Sequence, residues 1–190
     1  MSKIVLVHGI RTKEPEATLG GLQRKLLDDG MDAVAASYGY ILFPLTNGKA
    51  RKAVKKTAEP GDTLVGYSNG CYAIWQECED VQPEHVVLIS PALSADVEWP
   101  DCVKTITVFY SPGDTAVWWG GTWAAVANTM PWRWGSARDH KWGRMGLTGP
   151  DTNDPRVKAV CMGDKVAHSW YKYPEKVKMI HERISKTYRG

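Results

Sequence analysis

Short apolar runs alternate with amphipathic stretches along most of this chain. The runs are Ile4 to Val7, Ala33 to Ser37, Thr63 to Gly66, His85 to Ile89, Thr105 to Tyr110 and Val157 to Cys161. Several are continuously apolar rather than alternating, as expected of parallel strands covered on both faces. Between them, Glu16 to Asp29 brings Leu19, Leu22 and Leu26 to one helical face, and Gly48 to Ala58 does the same with Ala50, Ala53, Val54, Thr57 and Ala58. Asn69 to Glu79 predicts a third helix. Pro174 to Tyr188 predicts a last one, opening on a proline suited to a first turn and carrying Val177, Ile180, Ile184 and Tyr188 at helical spacing. Such alternation predicts an α/β fold of three layers around a doubly wound, mostly parallel sheet of about six strands.

One stretch breaks the rhythm. From about residue 115 to 155 there is no clear strand, and six of the nine tryptophans fall there: Trp118, Trp119, Trp123, Trp132, Trp134 and Trp142. A connection of this length usually serves function or carries small helices of its own. The expectation is a cap-like insertion over the carboxyl edge of the sheet, with a short helix near Thr122 to Asn128. The tryptophans have three readings: a satellite core, an apolar wall for an acyl chain or aromatic ester, or a platform for sugar rings. Trp142-Gly143-Arg144-Met145-Gly146 reads as a tight turn near the site rather than a ligand motif.

With 190 residues, the chain is expected to form a single domain, 1–190, with a proper core. A net charge of +3 is too small to argue for nucleic acid. The densest basic stretch, Lys49 to Lys56, reads as the solvated face of a helix. Cys71, Cys78, Cys102 and Cys161 show neither a CxxC nor a zinc-like spacing, which suits reduced thiols in a cytoplasmic protein. Met1-Ser2-Lys3 runs straight into a strand, so no signal peptide is expected, and no apolar stretch approaches the roughly 20 residues of a transmembrane anchor. The chain has no Walker loop, no Gly-x-Gly-x-x-Gly and no histidine pair at ligand spacing, so no metal or cofactor is expected.

The chemistry is concentrated in Gly66-Tyr67-Ser68-Asn69-Gly70, which follows the strand Thr63-Leu64-Val65 and leads into the helix beginning Cys71-Tyr72-Ala73-Ile74. Strand, Gly-x-Ser-x-Gly, then helix is the setting of a nucleophile elbow. There the serine takes a strained backbone, and small residues on either side of it avoid clashes. Alone, the pentapeptide arises by chance in roughly one chain in twenty. Its context adds Ile4-Val5-Leu6-Val7-His8-Gly9-Ile10-Arg11 before it. After it come Tyr110-Ser111-Pro112-Gly113-Asp114-Thr115-Ala116-Val117 and Gly163-Asp164-Lys165-Val166-Ala167-His168.

On these residues the chain resembles a small member of the α/β-hydrolase superfamily, over nearly its whole length except the tryptophan-rich insertion. The resemblance implies a minimal form of that fold, with strand order 2-1-3-4-5-6 and neither the initial antiparallel hairpin nor the cap after the fourth strand found in larger relatives. It implies Ser68 as nucleophile, Asp114 as acid and His168 as base, in the order nucleophile, acid, histidine. His140 competes with His168, and Asp154 and Asp139 stand behind Asp114. The backbone N–H groups of Ile10 (with Arg11 next) and Asn69 would form the oxyanion hole. Arg11, Tyr67, Trp118, Trp119 and Trp123 would line the substrate pocket. The expected activity is hydrolysis of a small-molecule acyl ester or thioester. Acyl transfer, or ligand binding without catalysis on the same fold, are the alternatives.

Overall fold

The computed structural model describes residues 2–9, 18–39, 47–117 and 141–189. Six strands form one sheet in the order β2-β1-β3-β4-β5-β6: β1 (Ile4–Val7), β2 (Ala33–Ala35), β3 (Thr63–Tyr67), β4 (His85–Ile89), β5 (Thr105–Tyr110) and β6 (Val157–Cys161). Every neighbouring pair is parallel, so the predicted order and direction both hold. β1 and β3 are buried along their whole length. That is why their sequences read as unbroken apolar runs: one side chain goes to each core in turn. On one face Val5, Val7, Leu64, Val86, Leu88 and Val108 meet α2 (Gly48–Thr57) and α3 (Asn69–Val81). On the other, Ile4, Leu6, Val65, Val87 and Phe109 meet α1 (Gly20–Asp28) and the terminal α5 (Pro174–Arg189), through Leu22, Leu26, Val177, Ile180 and Ile184. A short α4 (Met145–Thr148) lies between β5 and β6 in sequence.

Local chemistry sets the ends of these elements. α1 stops where Gly30 takes φ 76, its N–H bonding Leu27 O and the next N–H, of Met31, bonding Leu26 O. This left-handed closure needs glycine, and it drops buried Met31 beside buried Leu26. α3 runs two residues beyond its expected end at Glu79. It closes at Gln82, which adopts a left-handed conformation just ahead of Pro83. β2 ends two residues before the expected Ser37; Ala36 N still donates to Leu6 O (2.9 Å), and beyond it Tyr38 stacks on His8. The helix expected near Thr122 to Asn128 lies outside the described residues. No helix among the described residues is long and apolar enough to cross a membrane.

α2 and α3 are also joined by charge. Glu77 of α3 is fully buried, and it is met by Arg51 and by Lys55 at 3.0 Å, both about half exposed. The pair is asymmetric: without Glu77 the two cations return to water, whereas without the cations a carboxylate is stranded in the interior. Arg51→Ala/Lys55→Ala should therefore lose more stability than Glu77→Gln, read as the larger fall in urea midpoint.

Candidate functional site

Ser68 is the single residue between β3 and α3, and its backbone sits at φ 55, ψ −120. A side-chain-bearing residue held there costs about 1–3 kcal/mol and persists only when its surroundings impose it. Two glycines impose it. A Cβ on Gly70 would lie 2.2 Å from Val7 O and 2.6 Å from His8 O, so the start of α3 presses directly on β1. A Cβ on Gly66 would lie 2.8 Å from Ile74 Cδ1 and 2.9 Å from Cys71 Cα, so α3 also folds back onto β3. Hydrogen bonds hold the strained residue at both ends. Ser68 N donates to Ile89 O (2.9 Å), and Ser68 O accepts from Cys71 N (3.1 Å) and Ala92 N (3.2 Å).

The structure brings His168 and Asp114 to this turn from 100 and 46 residues away in sequence. His168 Nε2 lies 2.9 Å from Ser68 Oγ. His168 Nδ1 lies 3.0 and 2.9 Å from the two oxygens of Asp114, whose carboxylate is fully buried in the turn after β5. A carboxylate can only accept, so Nδ1 carries the proton and Nε2 presents its lone pair to the serine hydroxyl. Ser68 itself is 7% exposed, so the site is largely enclosed. Val117 N donates weakly to Asp114 Oδ1 (3.4 Å), closing the acid turn on itself. Among the described residues no cluster of His, Cys, Asp or Glu is arranged to hold a metal ion.

The loop after β1 passes against Ser68: a Cβ on Gly9 would sit 3.0 Å from Ser68 Cβ and 3.4 Å from Ser68 Oγ. Asn69 opens α3, so its backbone N–H has no helical carbonyl to bond. It points from the positive end of the helix dipole. Ile10, Arg11, Trp118, Trp119, Trp123, His140 and Asp139 lie outside the described residues. Asp154 is committed elsewhere. It pairs with Arg156 at 2.7 Å, and that guanidinium also donates to the carbonyls of Trp99, Pro100 and Val103. Tyr67, read from the sequence as a pocket residue, is 5% exposed and turned to the His168 loop, with its hydroxyl 2.9 Å from the His168 carbonyl. The turn at Trp142 carries one tryptophan against Tyr72, edge to face at 6.3 Å, on the α2 and α3 side of the core. Gly143 and Gly146 then lay its backbone on Ser94 and Ser90, where no Cβ would fit.

Two residues that pack behind the site, Tyr38 and Asn47, had no sequence signal, although their partners His8 and Asn69 did. His8 is fully buried and donates from Nδ1 to Gly9 O (2.8 Å); Tyr38 stacks on it at 3.9 Å and donates its hydroxyl to the His8 carbonyl. Asn69 Nδ2 donates to Asn47 Oδ1 at 2.5 Å, fastening the first turn of α3 to the start of α2. Tyr38 and Asn47 carry no motif, and their partners are 30 and 22 residues away.

No protein-family model matches the sequence, and no curated protein matches it. Solved structures do. The ydeN gene product from B. subtilis aligns over 100% of both chains at 15% identity, with a TM-score of 0.61. Alpha/beta hydrolase domain-containing protein 10 from mouse aligns over 98% of this chain and 89% of its own, at 11% identity and a TM-score of 0.65. The carboxylesterase CesB (YbfK) from Bacillus subtilis aligns over 96% of this chain and 82% of its own, at 10% identity and a TM-score of 0.52. At these identities the likeness is one of fold.

Two outcomes follow from the geometry. Gly70→Ala should destabilise the protein by about 3 kcal/mol or more, because a backbone carbonyl must give way. Gly21→Ala, on an open face of α1 with nothing within 4 Å, should be neutral or stabilising by about 0.5 kcal/mol. Urea unfolding of both variants reads the contrast. Burial holds the His8 and His85 imidazoles below their ordinary pKa, in His8 against the opposing pull of the Gly9 hydrogen bond. Below pH of about 6.5 the unfolded chain takes up protons that the folded one refuses. Stability should then be full above that pH and fall as pH drops through the lower folded values. Unfolding at pH 7.5 and 5.5 should show this loss, and His8→Gln should show less of it.

Proposed function

Because the chain has the α/β-hydrolase fold, we propose that it is a serine hydrolase that cleaves a carboxylic ester or thioester. The observation that carries this reading is the hydrogen-bonded run from Ser68 Oγ through His168 to Asp114, with 2.9 Å on the serine side and 2.9 and 3.0 Å on the carboxylate side. A serine hydroxyl is a weak nucleophile unless a base takes its proton during attack, and the Nε2 lone pair is in position to do so. A non-catalytic binding pocket has no use for that arrangement.

In this reading Ser68 Oγ attacks the substrate carbonyl while its proton passes to His168 Nε2. The buried Asp114 carboxylate stabilises the imidazolium that results and keeps the ring in its tautomer. Negative charge develops on the former carbonyl oxygen, where the Asn69 N–H at the start of α3 and, on the resemblance, the Ile10 N–H would receive it. His168 then gives its proton to the leaving oxygen or sulfur as the tetrahedral intermediate collapses. Water then attacks the acyl-enzyme as His168 takes its proton, and His168 returns that proton to Ser68 Oγ as the carboxylic acid leaves. The carboxylesterase among the structural neighbours lends the ester reading support from fold alone.

A fluorophosphonate probe should label the native protein and leave Ser68→Ala unlabelled. With p-nitrophenyl esters, Ser68→Ala should lower kcat by about four orders of magnitude or more. Across a panel from acetate to palmitate, short and medium chains should be preferred. Equal labelling of the native and Ser68→Ala proteins would sink the proposal.

A further inference from the structure

Ser68 follows β3 directly and Asp114 lies in the turn that leaves β5, two interior strands flanked on both sides. His168 has no such support. It lies in the connection between β6, an edge strand, and α5, just before a single 3-10 turn at Trp170–Lys172. A base carried on a connection is placed only as well as that connection is held.

The contacts that hold it begin beside the other two members of the site. Tyr67, the residue before Ser68, donates its hydroxyl to the carbonyl of His168 itself at 2.9 Å. Its ring lies 5.0 Å from the imidazole and is boxed edge-on by Trp170 and Tyr171 at 6.0 and 6.2 Å, which fixes the hydroxyl's direction. Ser111, three residues before Asp114, directs its buried Oγ at Gly163 O (2.7 Å) and Val166 O. Its one hydrogen is shared between those carbonyls, while the oxygen accepts from Gly113 N (3.1 Å). Gly113 completes the fit, since a Cβ there would lie 2.2 Å from Asp164 O.

We propose that Tyr67 and Ser111 are positioning residues, whose hydroxyls tie the His168 loop to the nucleophile turn and to the acid turn respectively. Because Tyr67 is covalently next to Ser68, a shift of β3 carries the base with it. Ser111 does the same for Asp114. The two imidazole nitrogens thereby stay in register with partners that belong to different strands. The catalytic consequence rests on the serine-hydrolase reading; the mechanical role does not. It also distinguishes Tyr67 from a pocket wall: losing a wall raises KM, whereas a misaligned base lowers kcat.

Tyr67→Phe and Ser111→Ala each remove one oxygen and leave the packing in place. Each should lower kcat on p-nitrophenyl acetate about tenfold with KM unchanged, and slow fluorophosphonate labelling to match. Tyr173→Phe, which takes a hydroxyl from an exposed tyrosine in the same connection, should leave both at the native level. A second readout is independent of turnover. The low-field proton resonance of His168 Nδ1–H, sheltered by Asp114, should be sharp in the native protein and broadened by solvent exchange in Tyr67→Phe. A native kcat in Tyr67→Phe overturns the proposal, as does a rise in KM alone. If the native protein reacts with neither ester nor phosphonate, the hydrolase reading fails by itself. The resonance then still decides, and equal sharpness in both proteins overturns the positioning role.

Discussion

Where β3 turns into α3, the backbone of Gly70 lies against the carbonyls of Val7 and His8, closer than any side chain permits. That approach has consequences in both directions along the chain. It lets α3 begin immediately after β3, so Ser68 is left alone in the turn at positive φ with its side chain standing clear of both elements. It also brings the His8-Gly9 corner to within van der Waals contact of the serine, so the loop after β1 becomes part of the same site. The strain at Ser68 is small beside the burial of the core that surrounds it, which is why the fold tolerates it.

The parallel sheet supplies the rest of the convergence. Strands that all run one way end at one edge, and the connections leaving β1, β3, β5 and β6 emerge there together. Asp114 and Ser68 inherit their places from interior strands. The connection bearing His168 gains its place from hydroxyl-to-carbonyl bonds, since carbonyls in a connection have no ladder to satisfy them. Buried polar groups also gather behind Ser68. Asn69 of α3 and Asn47 at the start of α2 are buried and pair with each other, while buried His8 bonds Gly9 O within its own corner and is covered by the Tyr38 ring.

Much of the architecture was legible because burial on two faces leaves a continuous apolar run, and one-sided burial leaves a helical stripe. Leu22 with Leu26, and Val177 with Ile180 and Ile184, are buried where their spacing predicts. The strand order came from the resemblance rather than from the runs themselves, which say nothing about which strand lies beside which. Element ends were less legible. Gln82 closes α3 through a left-handed conformation that its residue type does not announce, and β2 ends inside an apolar run that carries no local stop signal.

The candidate site divides along the same line. Ser68, Asp114 and His168 could be singled out from the sequence because a local pattern marks each: glycines at fixed offsets around a serine, an acid in a turn after a strand, a histidine before the last helix. Those patterns are local because the backbone constraint behind them is local. Their distances, the tautomer of His168, and the parts of Tyr67, Ser111, Tyr38 and Asn47 were decided only by the tertiary structure. Each of these four acts through one polar atom on a group 22 to 101 residues away. A hydroxyl or an amide makes such a bond wherever the fold delivers a partner, so its residue type carries no trace of the partner in advance.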